Sequence, residues 1–212
     1  MQHHHPGTRK RRPMKSMLTV LAVTFAAAQA PALAADLARA EEIVKGQCFI
    51  CHGERGESSS PVFPRLAGQH AAYVARQLAD YKSGRRKSTT MQPMVEELKA
   101  EDLPALGAYF ERQPTAAHPV ADTELAQVGR YIYLRGNTDS GVPACASCHG
   151  ETGEGTETMP RLAGQHARYT ETQLKLFDKR ERTNDNTVMH TVASRLTELE
   201  MKAVAAYVSG LK

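Results

Sequence analysis

Residues 48–52 read CFICH and residues 145–149 read CASCH. Between them these stretches hold all four cysteines of the chain, each time as a pair three apart with a histidine directly after the second. On a helical turn, side chains at i, i+3 and i+4 share one face, so each stretch sets two thiols and an imidazole side by side. The surroundings repeat as well. Residues 64–71 and 160–167 both read PRLAGQHA, and each copy is followed by a tyrosine (Tyr73, Tyr169) and then by Gln-Leu at 77–78 and 173–174. Identity of this length in matching context, offset by about 97 positions, makes the chain two copies of one unit, each the size of a small domain.

Between the copies, Gln113–Asp122 reads QPTAAHPVAD, with two prolines and no apolar periodicity, which is a linker composition. The expected domains are therefore 35–117 and 118–212. Within each the pattern is helical and no segment alternates as a strand does, so the expected fold class is all-α. Helices are predicted over Leu37–Lys45, Ala71–Tyr81 and Glu101–Arg112 in the first copy. In the second they are predicted over Thr123–Leu134 and Ala167–Phe177, with a last helix opened by a capping box of Thr197 and Glu200. Neither copy has the apolar residues for a large core, and domains this small need a staple or a cofactor at the centre.

The first residues form a class apart. A basic cluster (Arg9, Lys10, Arg11, Arg12, Lys15) precedes an uncharged apolar run, Leu18–Ala28, and then Ala32, Leu33, Ala34. This order is that of a secretory signal peptide over residues 1–34, cleaved after Ala34; the apolar run is too short to span a bilayer comfortably. The expected location is the periplasm, with peripheral membrane association left open. Removing the segment takes five basic and no acidic residues from the formal charge of +4, leaving 22 Lys+Arg against 23 Asp+Glu, or −1. Nucleic-acid binding then has no electrostatic basis.

CxxCH with an export signal reads as c-type haem attachment: Cys48 and Cys51, and Cys145 and Cys148, add to the two vinyl groups while His52 or His149 reaches the iron. Three other uses of CxxC fit less well. For a shared structural zinc, the pairs lie 93 residues apart, each in its own repeat. As a disulfide, CxxC closes too small a loop to stabilise much. A thioredoxin-like pair wants alternating strands and helices. Two covalently bound haem c groups are the expectation, and each flat apolar ring would supply the missing core.

The other iron face then decides function, since an open site suits oxygen or peroxide chemistry and a filled one electron transfer. Counting back 18 residues from Tyr109 and Tyr207 reaches Met91 and Met189, which also stand 39 and 40 residues after His52 and His149. Met94 rivals Met91, but the second copy has Val192 at the matching place. His70, His166 and His190 are alternative ligands; His70 and His166, at a predicted helix start beside Gln69 and Gln165, read as solvated surface residues. His52, Met91, His149 and Met189 are the candidate iron ligands.

These residues resemble the dihaem class I cytochromes c of the cytochrome c4 family over essentially the whole mature chain. The resemblance is carried by CFICH and CASCH, by FPRLAGQ and MPRLAGQ, by RTND at 182–185, and by Met91 and Met189 before AYF and AYV. It implies two tandem cytochrome c domains about a pseudo-twofold axis, with haem propionates meeting across the interface. It also implies that the carbonyls of Pro64 and Pro160 accept the proximal imidazole N–H, with Leu66 and Leu162 packed on the ring. Lys99 departs from the family by standing where a capping serine or threonine is usual. Arg86 and Arg182 are expected near the propionates or the interface. The implied role is an electron carrier between a quinol-oxidising complex or dehydrogenase and a cbb3-type or similar terminal oxidase. The competing role is a small dihaem redox enzyme, a peroxidase or sulfur-compound dehydrogenase, with one exchangeable site.

Overall fold

The computed structural model describes residues 1–3 and 29–212, with side chains from Asp36 onward. Most of the expected signal segment, residues 4–28, lies outside the described residues. The first half contains α1 (Gln29–Ile43), a π-helical segment (Val44–Cys48), α2 (Phe49–His52), α3 (Ala71–Lys82), α4 (Met91–Val95) and α5 (Asp102–Glu111). The second contains α6 (Thr123–Arg135), α7 (Ala146–His149), α8 (Ala167–Asp178), α9 (Val188–Ala193) and α10 (Glu198–Ser209). Among the described residues the only extended pairing is an isolated bridge between Asn137 and Val142. No described helix is long and apolar enough to cross a membrane.

The expected helices are present, with one revision at the start. α1 already runs at Gln29, where the described residues resume, rather than from Leu37, because the alanine-rich stretch before Asp36 consists of strong helix formers. The capping box forms as read: Thr197 accepts from Glu200 N, and the Glu200 carboxylate accepts from Thr197 N. At the corresponding end of α5 only the return bond of such a box forms: the Asp102 carboxylate accepts from Lys99 N at 2.9 Å, as Glu200 does from Thr197 N, while Lys99 offers no side-chain acceptor.

Each half has its own apolar cluster. In the first it gathers Val44, Val74, Val95, Leu106 and Phe110, and in the second Ile132, Tyr133, Leu174, Phe177 and Val208. The PRLAGQ loops are tied down identically, Gly68 N donating to Phe110 O at 2.8 Å and Gly164 N to Val208 O at 2.9 Å. Both glycines have positive φ, 67° and 71°, which side chains rarely adopt. The halves face each other through these loops and through α3 and α8.

Candidate functional site

Each CxxCH histidine is fixed in the same way. α2 and α7 end at Gly53 and Gly150, whose φ values of 78° and 82° turn the chain sharply after the histidine. His52 Nδ1 lies 2.9 Å from Pro64 O, and His149 Nδ1 lies 3.0 Å from Pro160 O. A carbonyl only accepts, so the proton sits on Nδ1 and Nε2 keeps its lone pair. Burial pushes both imidazoles below their ordinary pKa, against the opposing pull of the proline carbonyls, so both are neutral at physiological pH. A neutral imidazole with one nitrogen anchored and the other free is the form that ligates a metal.

The thiols have the opposite property. Burial raises Cys48 and Cys145 to about 11, so they are protonated at neutral pH and are poor thiolates for zinc or disulfide exchange. Among the described residues no group of three or more His, Cys, Asp or Glu side chains gathers at metal-binding spacing.

One continuous cavity of about 1960 Å³ runs through both halves. That is well above the ~300–1,000 Å³ of an ordinary small-molecule site, and it suits two large cofactors. Its wall includes Cys48, Cys51, His52 and Met91 of the first half and Cys145, Cys148, His149 and Met189 of the second. Pro64, Leu66, Pro160 and Leu162 line it too. The methionine backbones are held by upstream side chains: Met91 N donates to Ser88 Oγ at 3.1 Å, and Met189 N to Asp185 Oδ2 at 2.6 Å.

Arg86 and Arg182 lie at the interface, 6% and 8% exposed. Arg86 donates to Gln77 Oε1 at 2.7 Å and to Tyr169 Oη and Gln173 Oε1, both at 2.9 Å. Arg182 donates to Gln173 Oε1 at 2.8 Å, Tyr73 Oη at 3.0 Å, Gln77 Oε1 at 3.1 Å and Asn184 Oδ1 at 3.1 Å. The guanidiniums also stack, Arg86 over Tyr81 and Arg182 over Phe177. Neither forms an ion pair among the described residues, although both line the cavity. Arg161 Nε and Thr170 Oγ1 are buried on the same wall without a partner. Buried cations facing an apolar cavity call for an anionic edge, which a propionate-bearing haem has, so the residues fit the group.

His166 corrects the reading as a solvated residue, and His70, with 25% of its side chain exposed, is partly covered. His166 is 9% exposed, and its Nε2 donates to Ser58 O of the other half at 2.9 Å; His70 Nε2 donates to Glu154 O at 2.8 Å. A helix start that meets a second domain is not a surface. His190 bonds Phe177 O through Nδ1 at 2.9 Å and accepts from Arg180 Nε at 3.0 Å, so both ring nitrogens are used within its own half. Sequence reasoning missed the interface roles of Tyr73, Gln77, Tyr169 and Gln173, although their recurrence in both copies was the available signal.

Two sequence families match: Cytochrome c over residues 135–212, and Cytochrome C oxidase, cbb3-type, subunit III over residues 35–110. The chain is 42% identical to cytochrome c4 of Thiocapsa roseopersicina over 175 residues, 81% of this chain and 90% of the relative. This chain belongs to the cytochrome c4 family. A protein named thiosulfate dehydrogenase electron acceptor, from Thiomonas intermedia, is 35% identical over 93% of this chain and 91% of its own length. The crystal structure of reduced recombinant cytochrome c4 from Pseudomonas stutzeri superposes with a TM-score of 0.78 at 36% identity, covering 83% of this chain and 98% of that one. Membership makes the protein a dihaem electron-transfer cytochrome built from two cytochrome c domains, with haem c covalently attached at the cysteine pairs.

Proposed function

We propose that this cytochrome is a periplasmic electron shuttle in which His52 and Met91 hold one iron and His149 and Met189 the other. It takes one electron per haem from a quinol-oxidising complex or dehydrogenase and passes it to a cbb3-type or similar terminal oxidase. The reading is carried by the paired arrangement on one cavity wall, where each half offers a neutral, proline-anchored imidazole and a methionine with a tethered backbone. Bound haem supplies reversible one-electron chemistry, and a His/Met pair sets it at a fairly high potential. Pro64 and Pro160 hold the tautomer that leaves Nε2 free, and Leu66 and Leu162 keep water from the ring. A dehydrogenase as donor is supported by the relative named as the electron acceptor of thiosulfate dehydrogenase. A periplasmic site is supported by the order of basic, apolar and small residues at the start.

The alternative, an enzyme with one exchangeable haem, needs one half without a methionine at its iron. Two methionines held in parallel fashion favour the carrier. The test is the near-infrared charge-transfer band of methionine sulfur on ferric iron. Met91→Ala and Met189→Ala should each remove about half of its intensity and lower one of the two potentials. The reduced parent protein should not bind carbon monoxide, whereas each variant should. A parent that binds it, or a band unmoved by either substitution, overturns the assignment.

A further inference from the structure

The hydrogen bond that anchors each CxxCH histidine does not end at the proline. The carbonyl of Pro64 and the N–H of Arg65 belong to one amide. His52 Nδ1 donates to the carbonyl side at 2.9 Å, and the N–H side donates to Gln165 Oε1 at 2.9 Å. The other half mirrors this: His149 Nδ1 donates to Pro160 O at 3.0 Å, and Arg161 N donates to Gln69 Oε1 at 2.9 Å. Each chain thus runs from an imidazole through one peptide group to a glutamine of the opposite half.

The glutamines are built for this. Both are buried, and each clasps its arginine at both backbone groups, Gln165 Nε2 donating to Arg65 O at 2.9 Å and Gln69 Nε2 to Arg161 O at 3.0 Å. The double contact fixes which end of the side-chain amide points where. Each Oε1 is further held by the N–H of the next residue, His166 N at 3.0 Å and His70 N at 3.1 Å. These histidines in turn cross to Ser58 O and Glu154 O of the opposite half.

Hydrogen bonds in series polarise one another, with a strengthening of roughly 10–30% per bond. An amide whose N–H is engaged offers a more negative carbonyl oxygen. That oxygen draws harder on the imidazole proton, which makes the ring a stronger donor to a metal and favours the oxidised state. We propose that Gln69 and Gln165 are positioning residues acting across the interface: Gln165 sets the donor strength of His52, and Gln69 that of His149. The proposal rests on the reading that both histidines ligate iron. It makes each half's redox poise depend on the other through a chain of hydrogen bonds.

The test uses the mature holoprotein labelled with 15N-histidine, with proton NMR of the reduced form and spectroelectrochemistry. Gln165→Leu is expected to move the His52 Nδ1–H resonance upfield and leave that of His149 in place. At a fixed applied potential the ferric-to-ferrous ratio of the first-half haem should fall about two-fold. Gln69→Leu should exchange the two outcomes. Gln165→Glu keeps the acceptor and strengthens it, at the loss of the Nε2 bond to Arg65 O, so it should still move the His52 signal downfield; this variant decides the matter if the leucine variants do not accumulate. Shifts confined to the mutated half, equal shifts in both, or no shift overturn the proposal. Failure of the ligand reading is separately visible in the unmutated protein, where the ring C–H protons of His52 or His149 would lack the strong upfield displacement of a haem ligand.

Discussion

In the first half, the chain enters CFICH along an unbroken helical path, from α1 through the π-helical Val44–Cys48 into α2. In the second half, α6 stops at Gly136, and a short loop closed by the Asn137–Val142 bridge intervenes before CASCH. Gly136 has φ of 75°, and a Cβ there would lie 2.2 Å from Val142 O, whereas Gly46 of the first half has open space around it. The methionine loops differ too. Ser88 holds Met91, but Met189 is held by Asp185 ahead of Asn186 and Thr187, both in the left-handed region. At the mouth, Ile50, Val62 and Met94 are exposed in the first half where the second has Ser147, Thr158 and Val192. Most residues that touch the opposite half have stayed the same, namely PRLAGQ, the tyrosines, the glutamines and the arginines; Asn184 and Asp80, which pair across the seam, are exceptions, with Ser88 and Leu176 at the corresponding places. A segment facing its twin is constrained by two copies at once; one facing its own solvent or entry helix drifts.

Substitutions that act on one half should break this comparison. The largest effect is expected from Gly129→Ala, because a Cβ on α6 would lie 1.9 Å from Ala203 O of α10. Backbone cannot yield as a side chain does, so the second half should lose about 3 kcal/mol and melt before the first, as read by thermal unfolding of each haem's absorbance. Next come Arg86→Gln and Arg182→Gln, each removing a buried cation that serves one glutamine and one tyrosine of the opposite half. Each should cost about 2 kcal/mol in urea unfolding, by closely similar amounts because both arginines hold both glutamines and one tyrosine of the opposite half. Unequal costs, or none, would show that the likeness at the interface is one of letters only. Asp185→Ala should weaken the hold on Met189 by about 1 kcal/mol, a larger loss than Ser88→Ala causes at Met91. The urea midpoint of each half's near-infrared band measures that difference. Ile50→Ser, which copies Ser147 into the first half, should leave stability within about 0.5 kcal/mol, since Ile50 is 73% exposed.

Much of this was legible because the chemistry is local. CxxCH, the capping box at Thr197 and the helix starts at Ala71, Thr123 and Ala167 follow from spacing within a turn or two, and duplication tested each reading against a second copy. The beginning of α1 was misplaced because helix propensity there continues past the expected cleavage point. The surroundings of His70 and His166 were misread for a different reason. A histidine beside a glutamine at a helix start looks solvated until the partner domain is in place, and no local pattern says that the partner is another copy of the same chain. Two buried polar residues, Asp80 and Arg86, are likewise explained only by contacts across the seam or within a loop, with Asn184 Nδ2 donating to Asp80 Oδ2 at 2.6 Å.

The reciprocal clasp has a bearing on ancestry. A single copy cut free would carry an unshielded guanidinium, an idle glutamine and a proline loop missing its brace, all on the face it now shares with its twin. Once the duplicated gene had acquired that seam, neither module could return to a solitary life without first rebuilding the face it had surrendered.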